Sequence, residues 1–107
     1  MHTIRAESRE YVPYAVTATV AGAPHNPTAD LVEFRFSPVG TDATLATWHT
    51  GSWDPTPNPG TSVYTALCLV GPGGTVTLPA GHYNCDVRIT DNPEAPVMGP
   101  FLLNVTT

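Results

Sequence analysis

Leu78-Pro-Ala-Gly-His-Tyr-Asn-Cys-Asp-Val-Arg-Ile-Thr90 is the stretch on which the fold turns. Tyr83, Cys85, Val87 and Ile89 fall on one side of an extended chain and His82, Asn84, Asp86, Arg88 and Thr90 on the other, the period-two alternation of a half-buried strand. Pro79-Ala-Gly81 supplies the turn in front of it, because glycine takes a positive φ without steric cost. This strand is expected at the centre of a small all-β domain.

The order Leu78, Gly81, Tyr83, Cys85 resembles the tyrosine corner of immunoglobulin-like sandwiches, where a Tyr two residues before a core position bonds back to upstream backbone. The expected architecture is a single immunoglobulin-like antiparallel β-sandwich of seven or eight strands, with residues 1–107 as one domain. A chain of 107 residues can bury enough surface to fold alone and has no room for a separate catalytic domain.

The rest of the chain agrees. Twelve Pro and nine Gly are spread between apolar runs, where they act as turns. Thr3–Ala6 reads as a short first strand and Tyr14–Val20 as a second, with Tyr14, Val16, Ala18 and Val20 on one face. Ala21–Asp30 carries too many breakers for anything but a loop. Val32, Phe34 and Phe36 alternate with Glu33, Arg35 and Ser37 in a third strand whose aromatic pair should fill much of the core. Ala43–Thr50 predicts a shorter paired strand. Gly51–Gly60, with Pro55, Pro57 and Pro59, predicts an extended surface loop, since proline donates no ladder hydrogen bond. In Thr61–Val70 both sides are apolar, with Val63, Thr65, Leu67 and Leu69 opposite Tyr64, Ala66, Cys68 and Val70. That pattern predicts a strand covered on two faces, one of them by another subunit. Thr75–Leu78 and Gly99–Thr106 complete the strand set, and Asp91–Pro96 reads as a rigid connection.

Charge narrows the partners. Four Arg, no Lys and nine acids give a formal charge of -5. Phosphate-backbone binding needs clustered cations, so nucleic acid is not expected, and neither is a polybasic membrane surface. The N-terminal Met1-His-Thr-Ile-Arg5 has no apolar signal core and no run approaches a membrane span, so synthesis in a cytoplasm with reduced thiols is expected.

Chemistry-bearing residues are few, and each has a plain structural reading. The spacing of Cys68 and Cys85 does not match the inter-sheet bridge of antibody domains, and two buried thiols are favoured over a disulfide. His2, His25, His49 and His82 form no close ligand set, which argues against zinc. Asp86, Asp91 and Glu94 could gather oxygen ligands for calcium, but turn capping and solvent exposure account for them more simply. Asn104-Val-Thr106 matches a glycosylation sequon without the secretory context that gives it meaning. Neither a catalytic nor a cofactor motif is present, so the chain is expected to be non-enzymatic and cofactor-free. Trp48 and Trp53 flank Gly51, and one of them should be core while the other contacts a partner. The candidate partner-binding residues are Trp48, Trp53, Pro55, Pro57, Tyr64, Ala66 and Val70, and the candidate corner is Leu78, Gly81 and Tyr83.

Ser8-Arg-Glu-Tyr11, Asp30-Leu-Val-Glu-Phe34, Leu69-Val-Gly-Pro72, Leu78-Pro-Ala-Gly-His-Tyr83 and Val87-Arg-Ile-Thr-Asp-Asn-Pro-Glu-Ala-Pro-Val97 together resemble one family. It is the set of small proteins encoded among the head and head-to-tail genes of tailed phages of actinobacteria. The resemblance covers most of the chain, and Arg88–Glu94 is its most distinctive part. Cys85 departs from it, standing where a larger apolar residue is usual. The resemblance implies a virion structural component made in the bacterial host cytoplasm. First among the places it implies is the outer head surface, as a capsid decoration (minor capsid) protein bound to the major capsid protein, with self-association on the lattice. Head-to-tail connector proteins are the second set of partners, in a connector or tail role. The rival class is a carbohydrate-binding or adhesion module using Trp48, Trp53 and Tyr64 as stacking platforms.

Overall fold

The computed structural model describes residues 2–17, 19–20, 23–24, 30–54, 63–90 and 97–107. Ten strands run through them: β1 (His2–Arg5), β2 (Glu10–Thr17), β3 (Thr19–Val20), β4 (Ala23–Pro24), β5 (Leu31–Pro38), β6 (Trp48–Thr50), β7 (Ser52–Trp53), β8 (Val63–Val70), β9 (Gly81–Thr90) and β10 (Val97–Thr106). A five-stranded sheet in the order β1-β10-β9-β5-β6 packs against a three-stranded sheet in the order β2-β8-β7, and β3 pairs with β4 separately. The protein is an all-β, sandwich-like globule. One pairing departs from the expected antiparallel pattern, because β1 runs parallel to β10.

The organising stretch behaves as its alternation predicts. Tyr83, Cys85, Val87 and Ile89 are buried, and β9 lies at the middle of the larger sheet between β10 and β5. Its partner β5 inserts Val32, Phe34 and Phe36 into the core, with the two Phe rings stacked 6.3 Å apart. Ile4, Leu103 and Val105 extend this layer, and Val12, Val16, Ala66, Cys68 and Val70 face it from the smaller sheet. Burying one such large apolar side chain contributes about 2 kcal/mol. Tyr14 stacks on Phe101 at 5.2 Å and closes one flank between the sheets.

Several boundaries differ from the sequence reading. β2 begins at Glu10, four residues before the expected strand, and runs through Pro13. Because β2 is an edge strand, a residue without an N–H is tolerated there. The segment expected as strand over Ala43–Thr50 opens with a 3-10 turn at Ala43–Leu45, where Asp42 accepts hydrogen bonds from the Thr44 backbone N–H and hydroxyl. Thr75–Leu78 makes a single bridge, Val76 to Val70, and no strand. The final strand starts at Val97, with an irregularity between Met98 and Phe101. The expected loop at Gly51–Gly60 contributes β7 before leaving the described residues, and Asp91–Pro96 lies outside them.

Gly51 is where the chain passes from one sheet to the other. β6 pairs with β5 in the larger sheet and β7 with β8 in the smaller one, with Gly51 the single residue between them. Its N–H donates to the Val32 carbonyl at 2.8 Å, and a Cβ built there would meet the Leu67 carbonyl oxygen at 2.7 Å and the Phe34 ring at 2.9 Å. Only glycine fits so close an approach of two backbones.

Candidate functional site

Two outward faces carry the side chains of interest. On the five-stranded sheet, Arg35 and Asp86 are direct cross-strand neighbours, as are Glu33 and Arg88. Arg35 donates from Nε and Nη2 to Asp86 Oδ2 at 3.2 and 2.8 Å, and Arg88 donates in the same way to Glu33 Oε1 at 3.2 and 2.9 Å. Both guanidinium carbons also stand 4.3 Å from the centroid of the Trp48 ring. The indole is thus held by two cations that are themselves held by two carboxylates, a charge-assisted and cation-π arrangement that fixes its rotamer. Asp86 is drawn into this network and is 7% exposed, so the expectation that it faces water does not hold. Leu31, Val97 and Leu102 lie on the same outward side, each about half exposed.

On the three-stranded sheet, Tyr11, Pro13 and Ala15 of β2 stand beside Leu69, Leu67 and Thr65 of β8, and Ser52 of β7 follows Leu67. From Tyr11 to Ala15 and across these neighbours, the outward side chains carry no charge. Tyr11 is 54% exposed. Beside it lies a shallow groove of about 160 Å³ lined by Tyr11, Leu67, Leu69, Thr75 and the Thr50–Ser52 crossover.

This face corrects the sequence reading of β8. The proposed contact side included Ala66 and Val70, yet these are 0% and 1% exposed and belong to the core. Tyr64 pairs with buried Val16 and is itself half-buried on the inward side. The side that faces out is Thr65, Leu67 and Leu69. Both sides being apolar, the alternation gave the two faces without saying which is inside. The deciding signal lay in β2, since Val12 and Val16 pair with Cys68 and Tyr64 and bring them inward.

The two tryptophans separate. Trp53 sits opposite buried Ala66, packs on the core and donates its ring N–H to the Asp30 carbonyl at 3.0 Å, so it is a structural residue and not a free contact. Trp48 is on the outer face of the other sheet. Pro55 and Pro57 lie outside the described residues. Trp48, Trp53 and Tyr64 therefore share no common plane. The Arg35–Trp48–Arg88 cluster was missed because alternation places Arg35 and Arg88 outward without giving their register.

At the head of β9, the Tyr83 hydroxyl donates to the Pro79 carbonyl at 2.7 Å, the bond back to upstream backbone that defines a tyrosine corner. Gly81 enters the strand at φ 155°, and Leu78 packs against the core. Cys68 and Cys85 are free and buried. Desolvation pushes the Cys68 thiol up to about 11 and the Cys85 thiol higher still, with the neighbouring Cys68 and Asp86 adding to the effect at Cys85. Among the described residues no three His, Cys, Asp or Glu side chains gather as metal ligands, and no helix is long and apolar enough to cross a membrane. His25, Asp91 and Glu94 lie outside the described residues.

No protein-family model, no curated protein and no solved structure matches the chain.

Proposed function

We propose that the chain is a non-enzymatic virion protein that decorates the outer surface of a phage head, docking on capsid subunits through the outer face of its five-stranded sheet. The observation that carries this reading is the immobilised Trp48. A large aromatic ring clamped by Arg35 and Arg88, on a sheet face that also carries the exposed Leu31, Val97 and Leu102, has the composition of an interface hot spot, in which Trp and Arg dominate binding. Its rotamer is already fixed, so docking loses little side-chain entropy.

The family resemblance of Leu78–Tyr83 and Val87–Val97 supports the virion assignment. Strand order supports an immunoglobulin-like sandwich: the first strand runs parallel to the last at the edge of one sheet, and Tyr83 makes the corner bond. Such a module, carrying one contact surface and repeated on a symmetric lattice, gains occupancy by avidity. The edges are poorly suited to docking by strand addition. β1, β6 and β7 have four, three and two residues, and Pro13 removes one donor from β2. Sugar stacking is not favoured either, because guanidinium groups already cover the Trp48 ring.

Mixing the purified chain with heads that lack it, followed by cryo-electron microscopy, tests the reading. Density at regular lattice positions is expected, and Trp48→Ala should abolish it while leaving the circular dichroism spectrum unchanged. Density confined to the portal vertex would move the chain to the head-to-tail connector. Bare heads would overturn the assignment to the virion surface.

A further inference from the structure

We infer that the loop joining β5 to β6, residues 39–47, carries an anchor of the docking surface: Leu45, held ready to enter an aliphatic recess on a capsid subunit. The inference rests on the capsid reading and adds to it a contact that lies off the sheet itself.

The first observation is where exposed apolar side chains lie. Among the described residues six large ones are exposed. Five of them, Leu31, Val39, Leu45, Val97 and Leu102, belong to the five-stranded sheet or to this loop, and the three-stranded sheet contributes Tyr11 alone. Leu45 is 83% exposed, more than any of the others. Single leucines scattered over a surface mean little, whereas five of six gathered on one sheet and its loop mark that part of the molecule for contact.

The second is order in the loop. The Thr41 N–H and hydroxyl both donate to the Pro38 carbonyl, at 3.0 and 2.6 Å, and Gly40 takes the φ of 91° that closes this turn. The Val39 N–H donates to the His82 carbonyl at 3.0 Å and ties the turn to β9. Asp42 then caps the 3-10 turn, accepting from the Thr44 N–H at 3.0 Å and its hydroxyl at 2.7 Å, while the Leu45 N–H donates to the Asp42 carbonyl at 3.2 Å. Leu45 thus stands on backbone that is already hydrogen-bonded, and docking gives up little conformational entropy.

The third is continuity with Trp48. Leu45 precedes it by three residues, so the two Cα atoms lie within about 11 Å of each other. The Asp42 carboxyl is held below its ordinary value, chiefly by the two Thr44 bonds and in lesser part by the charge of Arg35, one of the two guanidinium groups on Trp48. Asp42 is also the single charged residue of the loop, and Thr44 already occupies its carboxylate. What Val39 and Leu45 offer a partner is aliphatic, and the surface that fits them is an apolar recess that supplies no countercharge.

Titrating the full chain onto heads that lack it, with the bound fraction read after sedimenting the heads, tests this. Leu45→Asp should weaken binding by about tenfold or more, the worth of one buried leucine, at an unchanged melting temperature. Asp42 is a positioning residue: Asp42→Ala should weaken binding, and Asp42→Asn, which keeps the oxygen of the cap, should restore it. Tyr11→Asp, on the other sheet, should bind like the parent. Equal binding by Leu45→Asp and the parent, with Trp48→Ala defective, overturns the inference and leaves the sheet-face reading standing. A loss in Tyr11→Asp as large as that in Leu45→Asp overturns it as well, since any added acid would then do the same. Heads that take up no parent chain overturn the capsid reading and the inference together.

Discussion

Asp86 shows how a side chain that reads as a solvent-facing strand residue becomes a structural one. It stands on the polar side of β9, opposite Arg35, and only pairing with β5 at this register brings the guanidinium over it. The two side chains are 14% and 10% exposed, so the pair lies where desolvation is substantial and losing one member strands the other. Asp86→Ala should destabilise the domain by about 3 kcal/mol in urea unfolding, because Arg35 loses its counter-charge and the Trp48 ring loses one of its two fixed cations. Replacing both partners, as Arg35→Met with Asp86→Leu, should cost less than Asp86→Ala alone. A double replacement as damaging as the two single ones added together would show that the pair contributes no coupling. The Glu33–Arg88 pair, 16% and 30% exposed, should give a smaller effect in the same measurement.

At the scale of elements, the crossover between β6 and β7 ties the two outer faces together. Trp48 and Trp53 are five residues apart in sequence, yet one lies on the outside of the larger sheet and the other against the core of the smaller, because Gly51 lets the chain change layers in a single residue. Gly51→Ala should destabilise by about 2 kcal/mol, since the added methyl meets a backbone oxygen and the Phe34 ring, neither of which can retreat cheaply. A melting temperature unchanged from the parent would mean that the two backbones are not in close approach there. The sequence made β5 and β9 legible because each pairs an apolar with a polar face, which sets both strand type and orientation. It made β8 legible as a strand but not as oriented, since Leu67 and Leu69 are larger than the Ala66 and Cys68 that point inward. Pro13 hid the start of β2 for a similar reason: it signals a break unless the strand is known to lie at an edge. Ala66 and Val70, read as part of a contact face, lie in the core. Trp48 was found by composition, whereas Tyr11, Leu67 and Leu69 emerge only when β2 and β8 are paired.

Considered as a whole, the molecule is two sheets whose cohesion depends on a dry interface, and the two thiols report on it. Cys68 belongs to the smaller sheet and Cys85 to the larger, and each is almost fully buried in the common core. Desolvation raises both thiols above their ordinary value of 9.0, and Tyr83 is raised by burial as well. A group whose folded value is raised binds its proton more tightly in the native state than in the unfolded chain. The unfolded chain therefore releases protons first as pH rises, and stability falls with pH. The contribution is complete below about 9, where even the unfolded thiols are protonated, and it drains away through about 11 for Cys68 and at still higher pH for Cys85. Cys68 alone should withdraw about 2 kcal/mol by the top of its window. Urea midpoints measured from neutral pH upward should thus be flat to about pH 9 and then decline, and Cys68→Ala should shrink the decline while lowering stability at neutral pH through the cavity it leaves. Midpoints that stay level through pH 11 in the parent chain would mean that water reaches the thiols in the native state, and with it the space between the sheets.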